Sequence, residues 1–205
     1  MSDIHLEVLV EEPSMEAALE ILLPKIARDL TFRIYPHNGK EALLGKLPGR
    51  LRGYRAMIQP DWLILVVVDR DRDECRSLKQ KLERMAEDAG LMTKTHARAG
   101  QFDVLNRIAI EELEAWYFGD WPAVRAAYPN VPKWIPRRAP YRDPDAITGG
   151  TGEALQRILQ NAGHISGRLP KIEAARTIAP HMDPARNTSR SFQVFRDALL
   201  EAASA

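Results

Sequence analysis

The sequence predicts an α/β protein with a mostly parallel sheet flanked by helices, Rossmann-like in general plan. Three observations point there. Strand-like and helix-like segments alternate through residues 1–120, the pattern of a layered α/β core. Trp62 to Val68 is apolar at every position, as in a strand covered on both faces and therefore central and parallel. Acidic residues (Glu11, Asp69, and Glu111, Glu112 and Glu114) stand just past three of the strands, and in a parallel sheet all those ends share one edge, where such folds bind ligands.

The elements follow in order. Ile4 to Val10 alternates, with Ile4, Leu6, Val8 and Val10 on one face, as a strand does. Pro13 opens a helical run to about Arg28. Phe32 to Tyr35 reads as a second strand, and Gly39 to Arg55 as a basic stretch punctuated by glycine and proline. After the central strand, Leu78, Leu82, Met85 and Ala89 mark one helical face, with Gly90 as its stop. Leu91 to Ala97 and Val104 to Ile110 read as further strands, and Glu111 to Phe118 as a helix.

From about Trp121 the character changes. Residues 122–150 hold six prolines in 29 positions, a long irregular connection of the kind that is usually functional or faces a partner. Helices are expected near Thr151–Asn161, Pro170–Ala179 and Thr188–Ala203. The expected organisation is a core over 1–120 and a proline-rich connection with C-terminal helices over 121–205, packed on that core as a single domain.

Composition removes several classes. The longest wholly apolar run, Trp62 to Val68, has seven residues, far short of the roughly 20 that a membrane helix needs. Asp3, Glu7, Glu11 and Glu12 stand where a signal peptide would carry basic and then apolar residues. The single cysteine, Cys75, excludes an internal disulfide and suits a reducing cytosol, so a cytoplasmic protein with no membrane partner is expected. Net charge is +1, so bulk charge announces no nucleic acid.

The informative segment is VVVDRDRDECRSLKQ, Val66 to Gln80. Glu11 follows the first strand, Asp69 the central one, and Glu111, Glu112 and Glu114 the strand ending at Ile110, so carboxylates from three segments should converge. Hard oxygen ligands without histidine or thiol suit Mg²⁺ or Mn²⁺ rather than zinc. An EF-hand is excluded: counting from Asp69, its glycine and bidentate glutamate positions hold Glu74 and Gln80. In extended chain Asp69, Asp71 and Asp73 share a face while Arg70 and Arg72 point away. The competing reading is a solvated Asp/Arg helix N-terminus, where negative charge is favourable anyway.

These residues carry a resemblance. VLVEEPSMEAAL followed by LVVVDRDRD resembles the Toprim domain of topoisomerases, primases and OLD-type nucleases. RIAIEELEAWYFGD, LPKIEAARTIAPHMD and SRSFQVF resemble a small bacterial Toprim-like family related to the OLD nucleases, over nearly the whole chain. The resemblance implies that Glu11 matches the family's glutamate and Asp69 and Asp71 its metal-binding pair. It implies that Glu114 matches a further glutamate and Lys171 a late catalytic lysine. The chain departs from the pattern twice: Glu12 replaces the usual glycine, and Met15 stands where OLD-type enzymes carry an acid.

The implied activity is hydrolysis of nucleic-acid phosphodiester bonds, DNA or RNA, by a metal-dependent nuclease. Glu11 would serve as base or ligand and Lys171 would stabilise developing negative charge. The metal set is then Glu11, Asp69, Asp71, Asp73 and Glu114. The resemblance further implies an antiviral defence role beside a partner ATPase, since the chain has no phosphate-binding loop of its own. The alternative is a non-catalytic Toprim-like module that binds metal or nucleic acid and regulates that partner. For substrate contact, the basic stretches nominate Lys40, Lys46 and Arg50, and then Arg137 and Arg138 beside Trp134 and Tyr141. Phosphate contact plus base stacking is the chemistry such mixtures suit; a solvated loop with a packed tryptophan is the competing reading.

Overall fold

Four strands, β1 (His5–Val10), β2 (Thr31–Pro36), β3 (Trp62–Asp69) and β4 (Val104–Ala109), pair in the order β2-β1-β3-β4. Every pairing is parallel, with His5 opposite both Thr31 and Trp62 and Asp69 opposite Ala109. The computed structural model describes residues 4–71, 73–97 and 101–203. Among the described residues eight α-helices flank the sheet: α1 (Pro13–Ile26), α2 (Lys40–Met57), α3 (Cys75–Asp88), α4 (Glu114–Gly119), α5 (Trp121–Ala127), α6 (Thr151–Asn161), α7 (Lys171–Ile178) and α8 (Arg190–Ala203). Among the described residues no helix is long and apolar enough to cross a membrane.

The strand order explains where a site can form. The chain leaves β1 toward β2 and then crosses back to β3 on the other side. Connections therefore diverge between the carboxyl ends of β1 and β3, which opens a crevice there.

The uniform apolarity of β3 has its expected cause. Leu63, Leu65 and Val67 join the core built with α1 and the C-terminal helices, whereas Ile64, Val66 and Val68 join the one under α2 and α3. The C-terminal half belongs to the first core through Ala174, Ile178, Phe192, Phe195 and Leu199, all fully buried.

Three departures from the sequence reading have physical reasons. The glycine-punctuated basic stretch is the 18-residue helix α2. Three glycines and Pro48 weaken it, each glycine by roughly 1 kcal/mol. Burial of Leu43, Leu47, Leu51 and Tyr54, one helical turn apart, offsets that cost. The strand expected over Leu91 to Ala97 reduces to one bridge, Thr93 with Val104. The helix expected from Glu111 begins at Glu114, because Glu111 takes a left-handed conformation (φ 62°) that turns the chain.

In the proline-rich connection, single 3-10 turns at Ile135–Arg137, Ala139–Tyr141 and Pro144–Ala146 each carry a proline in their first two positions. Proline's fixed φ and missing N–H suit a helical start.

Candidate metal centre

The strand ends deliver their acids to one place. Glu11 is the first residue past β1, Asp69 closes β3, and Glu114 opens α4 just after β4. The Asp69 backbone N–H donates to Glu11 Oε2 at 3.2 Å. All three are nearly inaccessible: Glu11 is 8%, Asp69 7% and Glu114 1% exposed. Lys171, the first residue of α7, approaches from the other side and sits 3.5 Å from Glu12 Oε2.

Burial without pairing raises the carboxyl pKa values. Asp69 is pushed well above its ordinary range by burial, then by the charges of Glu11 and Glu114. Glu114 is pushed from 4.5 to about 7 by burial, despite Lys171 nearby. Glu11 is raised by burial, against the hydrogen bond from Asp69. Lys171 goes up as well: burial opposes its charge, but Glu114, Glu112, Glu12 and Asp69 together outweigh it.

Two oxygens, Asp69 Oδ1 and Glu114 Oε2, are buried and meet no hydrogen-bond partner among the described residues. A buried carboxylate oxygen left unpaired is costly, and a divalent cation would remove that cost. Hard carboxylate donors and two orphaned oxygens fit Mg²⁺ or Mn²⁺. The ligand atoms of Glu11, Asp69 and Glu114 do not all lie within 4.8 Å of one another, so a bound ion would draw these side chains inward.

Asp71 and Asp73 behave differently from Asp69. The strand ends at Asp69, and Asp71 turns into the left-handed region (φ 50°), so the two-residue alternation that would align all three stops there. Lys40 Nζ holds both, 2.7 Å from Asp71 Oδ2 and 2.8 Å from Asp73 Oδ2, and also donates to the Arg70 carbonyl at 3.0 Å. The expected common face of DRDRD is thus corrected to one buried aspartate and two half-exposed, lysine-paired ones. Arg70 pairs with Glu111, and Arg72 lies outside the described residues. The cap of α3 is Glu74, whose carboxylate accepts from the N–H groups of Arg76 and Ser77.

Sequence reasoning passed over part of the surround. Glu112 accepts the Gly152 N–H at 2.9 Å, which presses the start of α6 against the acidic segment. A Cβ at Gly152 would lie 2.7 Å from Glu112 Oε2, so a larger residue here would push the Glu112 carboxylate aside. Tyr117 is fully buried in α4 with an unpartnered hydroxyl, and the charges of Glu114 and Asp69 add to burial in raising its pKa. A GG-TG sequence and a tyrosine one turn after a glutamate were the available signals.

A cleft of about 720 Å³ opens at Lys171, between Glu12 with the start of α1 (Pro13, Ser14) and Pro170 with the start of α7 (Lys171, Glu173, Arg176); Glu11, Asp69 and Glu114 lie behind it and do not line it. The nominated basic residues are dispersed. Lys40 is committed to Asp71 and Asp73, and Lys46 is exposed on α2. Arg50 lies over the Tyr35 ring, 4.8 Å from its centroid. Arg137 and Arg138 are exposed, the latter stacked 5.0 Å over Trp134, itself 46% exposed.

The SRSFQVF segment serves the fold. Ser189 and Ser191 hydroxyls and the Ser191 N–H all donate to the Asp145 carboxylate. Asn187 donates to the Trp116 carbonyl at 2.8 Å, which ties the entry of α8 to α4 and so fixes the helix that carries Glu114.

A family model described as Domain of unknown function (DUF4276) matches residues 10–200. No curated protein and no solved structure matches the chain.

Proposed function

The chain belongs to the DUF4276 family, and from the chemistry of its site we propose that it is a metal-dependent nuclease cleaving nucleic-acid phosphodiester bonds. The observation that carries the reading is the pair of buried, unpartnered oxygens, Asp69 Oδ1 and Glu114 Oε2, at the divergence of the sheet's connections. The resemblance of its motifs to Toprim and OLD-type enzymes supports the same reading.

Asp69, Glu114 and Glu11 would hold Mg²⁺ or Mn²⁺. When bound, such an ion polarises a phosphoryl oxygen and acidifies a water molecule. The chain's own groups do the rest. Lys171, charged and partly buried beside the cleft, is placed to offset negative charge developing on a phosphate. Arg176 lines the same cleft and would bind the flanking backbone. In the metal-free site Glu114, with a pKa near neutrality, holds a proton that a bound ion would displace. The same reading places the chain in the cytoplasm beside an ATPase in antiviral defence, a partnership that co-purification tests.

The test is a cleavage assay on DNA and on RNA with Mg²⁺ or Mn²⁺, with and without that partner, and Asp69→Asn as the control. Cleavage by the wild type that is abolished in the variant supports the reading; cleavage unchanged in the variant removes it. A non-catalytic module that binds metal and nucleic acid is the second reading. The commitment of Asp71 and Asp73 to Lys40 favours it, and it predicts metal-dependent binding without cleavage.

A further inference from the structure

We propose that Glu83, Glu87 and His96 form a second metal site, for a borderline divalent ion such as Zn²⁺, on the α3 side of the sheet. Glu83 and Glu87 stand one turn apart on α3 and so share a face. His96 reaches them from the turn that its N–H closes on the Thr93 carbonyl. One ligand atom from each of the three lies within 4.8 Å of the others, the only such trio of His, Cys, Asp or Glu among the described residues. His96 Nδ1 is 2.5 Å from Glu87 Oε1.

A second observation points to a ligand. The Glu83 side chain is 6% exposed, and its Oε2 meets no partner within hydrogen-bonding geometry among the described residues, although the nearby Thr93 hydroxyl helps to lower the Glu83 pKa; Oε1 is held by Lys79 at 2.5 Å and by Asn106 at 3.0 Å. Thr93, fully buried beside it, turns its hydroxyl to His96 Nδ1 at 3.3 Å. The Asn106 side-chain oxygen is a further buried, unpartnered acceptor in the same cluster. The helix and turn therefore bring an imidazole nitrogen, an exposed carboxylate and a buried carboxylate with one unpartnered oxygen within 4.8 Å of one another.

The donor set narrows the ion. Mg²⁺ and Ca²⁺ take oxygen ligands, whereas an imidazole beside two carboxylates suits a borderline divalent ion such as Zn²⁺ and leaves a coordination position for water. Lys79 and Arg107 are the opposing positive groups near Glu83. Lys79 occupies Oε1 and leaves Oε2 open, and it holds Glu83 in the ionised form that a cation needs. An ion here would pin the last turns of α3 to residues 93–96, which lead toward β4.

The site is independent of the one gathered at Asp69, and its test is arranged accordingly. Zn²⁺ alone is titrated by calorimetry into Asp69→Asn protein, which disables the acidic centre, and into Asp69→Asn carrying His96→Ala. His96 is 56% exposed at its side chain, so its removal leaves the fold intact. The expected result is one zinc bound in the first protein and affinity at least roughly tenfold weaker in the second. Co²⁺ should show visible absorption bands that change when His96 is replaced. Equal zinc affinity with and without His96, or no binding at all, would overturn the proposal.

Discussion

The backbone N–H of Asp69 donates to Glu11 Oε2 across 3.2 Å, joining the last residue of β3 to the first residue past β1. That bond stabilises one carboxylate, yet it leaves Asp69's own carboxyl buried, with Oδ1 unpartnered and the charges of Glu11 and Glu114 close by. In the metal-free protein the crevice therefore carries an electrostatic cost that a cation would remove.

Asp69→Asn should expose that cost. It deletes the buried charge at nearly constant shape, so the metal-free protein should gain on the order of 1 kcal/mol, or about 2–4 °C in Tm for a chain of this length. The stabilisation gained on adding Mn²⁺ should disappear, because ligand-linked stability depends on affinity for the folded state. Thermal melts with chelator and with Mn²⁺ check both halves. A Mn²⁺ shift equal in variant and wild type would assign Asp69 to the fold alone.

Asp71→Asn should give the opposite sign. The repeated aspartates in sequence suggest that any one of them relieves repulsion when neutralised. Asp71 instead pairs with Lys40 at 2.7 Å and is 44% exposed at its side chain, so the substitution should destabilise by less than about 1 kcal/mol. Asparagine tolerates the left-handed backbone at this position. The Mn²⁺ response should persist; its disappearance would show that Asp71 leaves Lys40 to join the metal.

The contrast between these aspartates marks where the sequence stopped being legible. The position of Asp69 followed from the apolar run before it, since a strand covered on both faces can end only at the sheet edge. The sheet itself was readable from that run and from the alternation at Ile4 to Val10. The partner of Asp71 was not, because Lys40 lies 31 positions earlier on a helix that glycine and proline concealed. Its signal was present in Leu43, Leu47, Leu51 and Tyr54, whose spacing is helical despite Gly45, Gly49 and Gly53. The pairing of Glu112 with the start of α6 was likewise hidden, being a contact between residues 40 apart.

Charge reversal at Arg137 and Arg138 tests the nucleic-acid interface. Both are exposed, and Arg138 stacks on Trp134 to form an amphipathic platform. For every phosphate that one of these arginines neutralises, its reversal should reduce the slope of log affinity against log salt by about 0.7–0.9. Binding isotherms at several salt concentrations measure it. An unchanged slope would assign the pair to a protein partner or to solvent.

Glu114 makes stability depend on pH in a predictable direction. Its pKa in the folded protein is raised to about 7 from 4.5, chiefly by burial. A raised folded pKa contributes stability that is fully present below 4.5 and lost as pH rises through about 7, since ionisation then works against burial. The shift corresponds to about 3 kcal/mol across that window, and Asp69, raised for the same reason, acts in the same direction. Lys171, raised above its usual range, loses its contribution only in strong alkali, outside the window. Metal-free protein should therefore melt at progressively lower temperature from pH 5 to pH 8. Mn²⁺ should reverse the trend, because the ion competes with the proton for the same oxygens and gains as they ionise. Glu114→Gln cannot ionise, so it should make the metal-free profile shallower, leaving the part due to Asp69, and reduce the growth of the Mn²⁺ shift with pH. Melts of both proteins across that range, with chelator and with Mn²⁺, provide the check. A profile in Glu114→Gln as steep as in the wild type would place the titrating group elsewhere in the crevice, with Asp69 the next candidate.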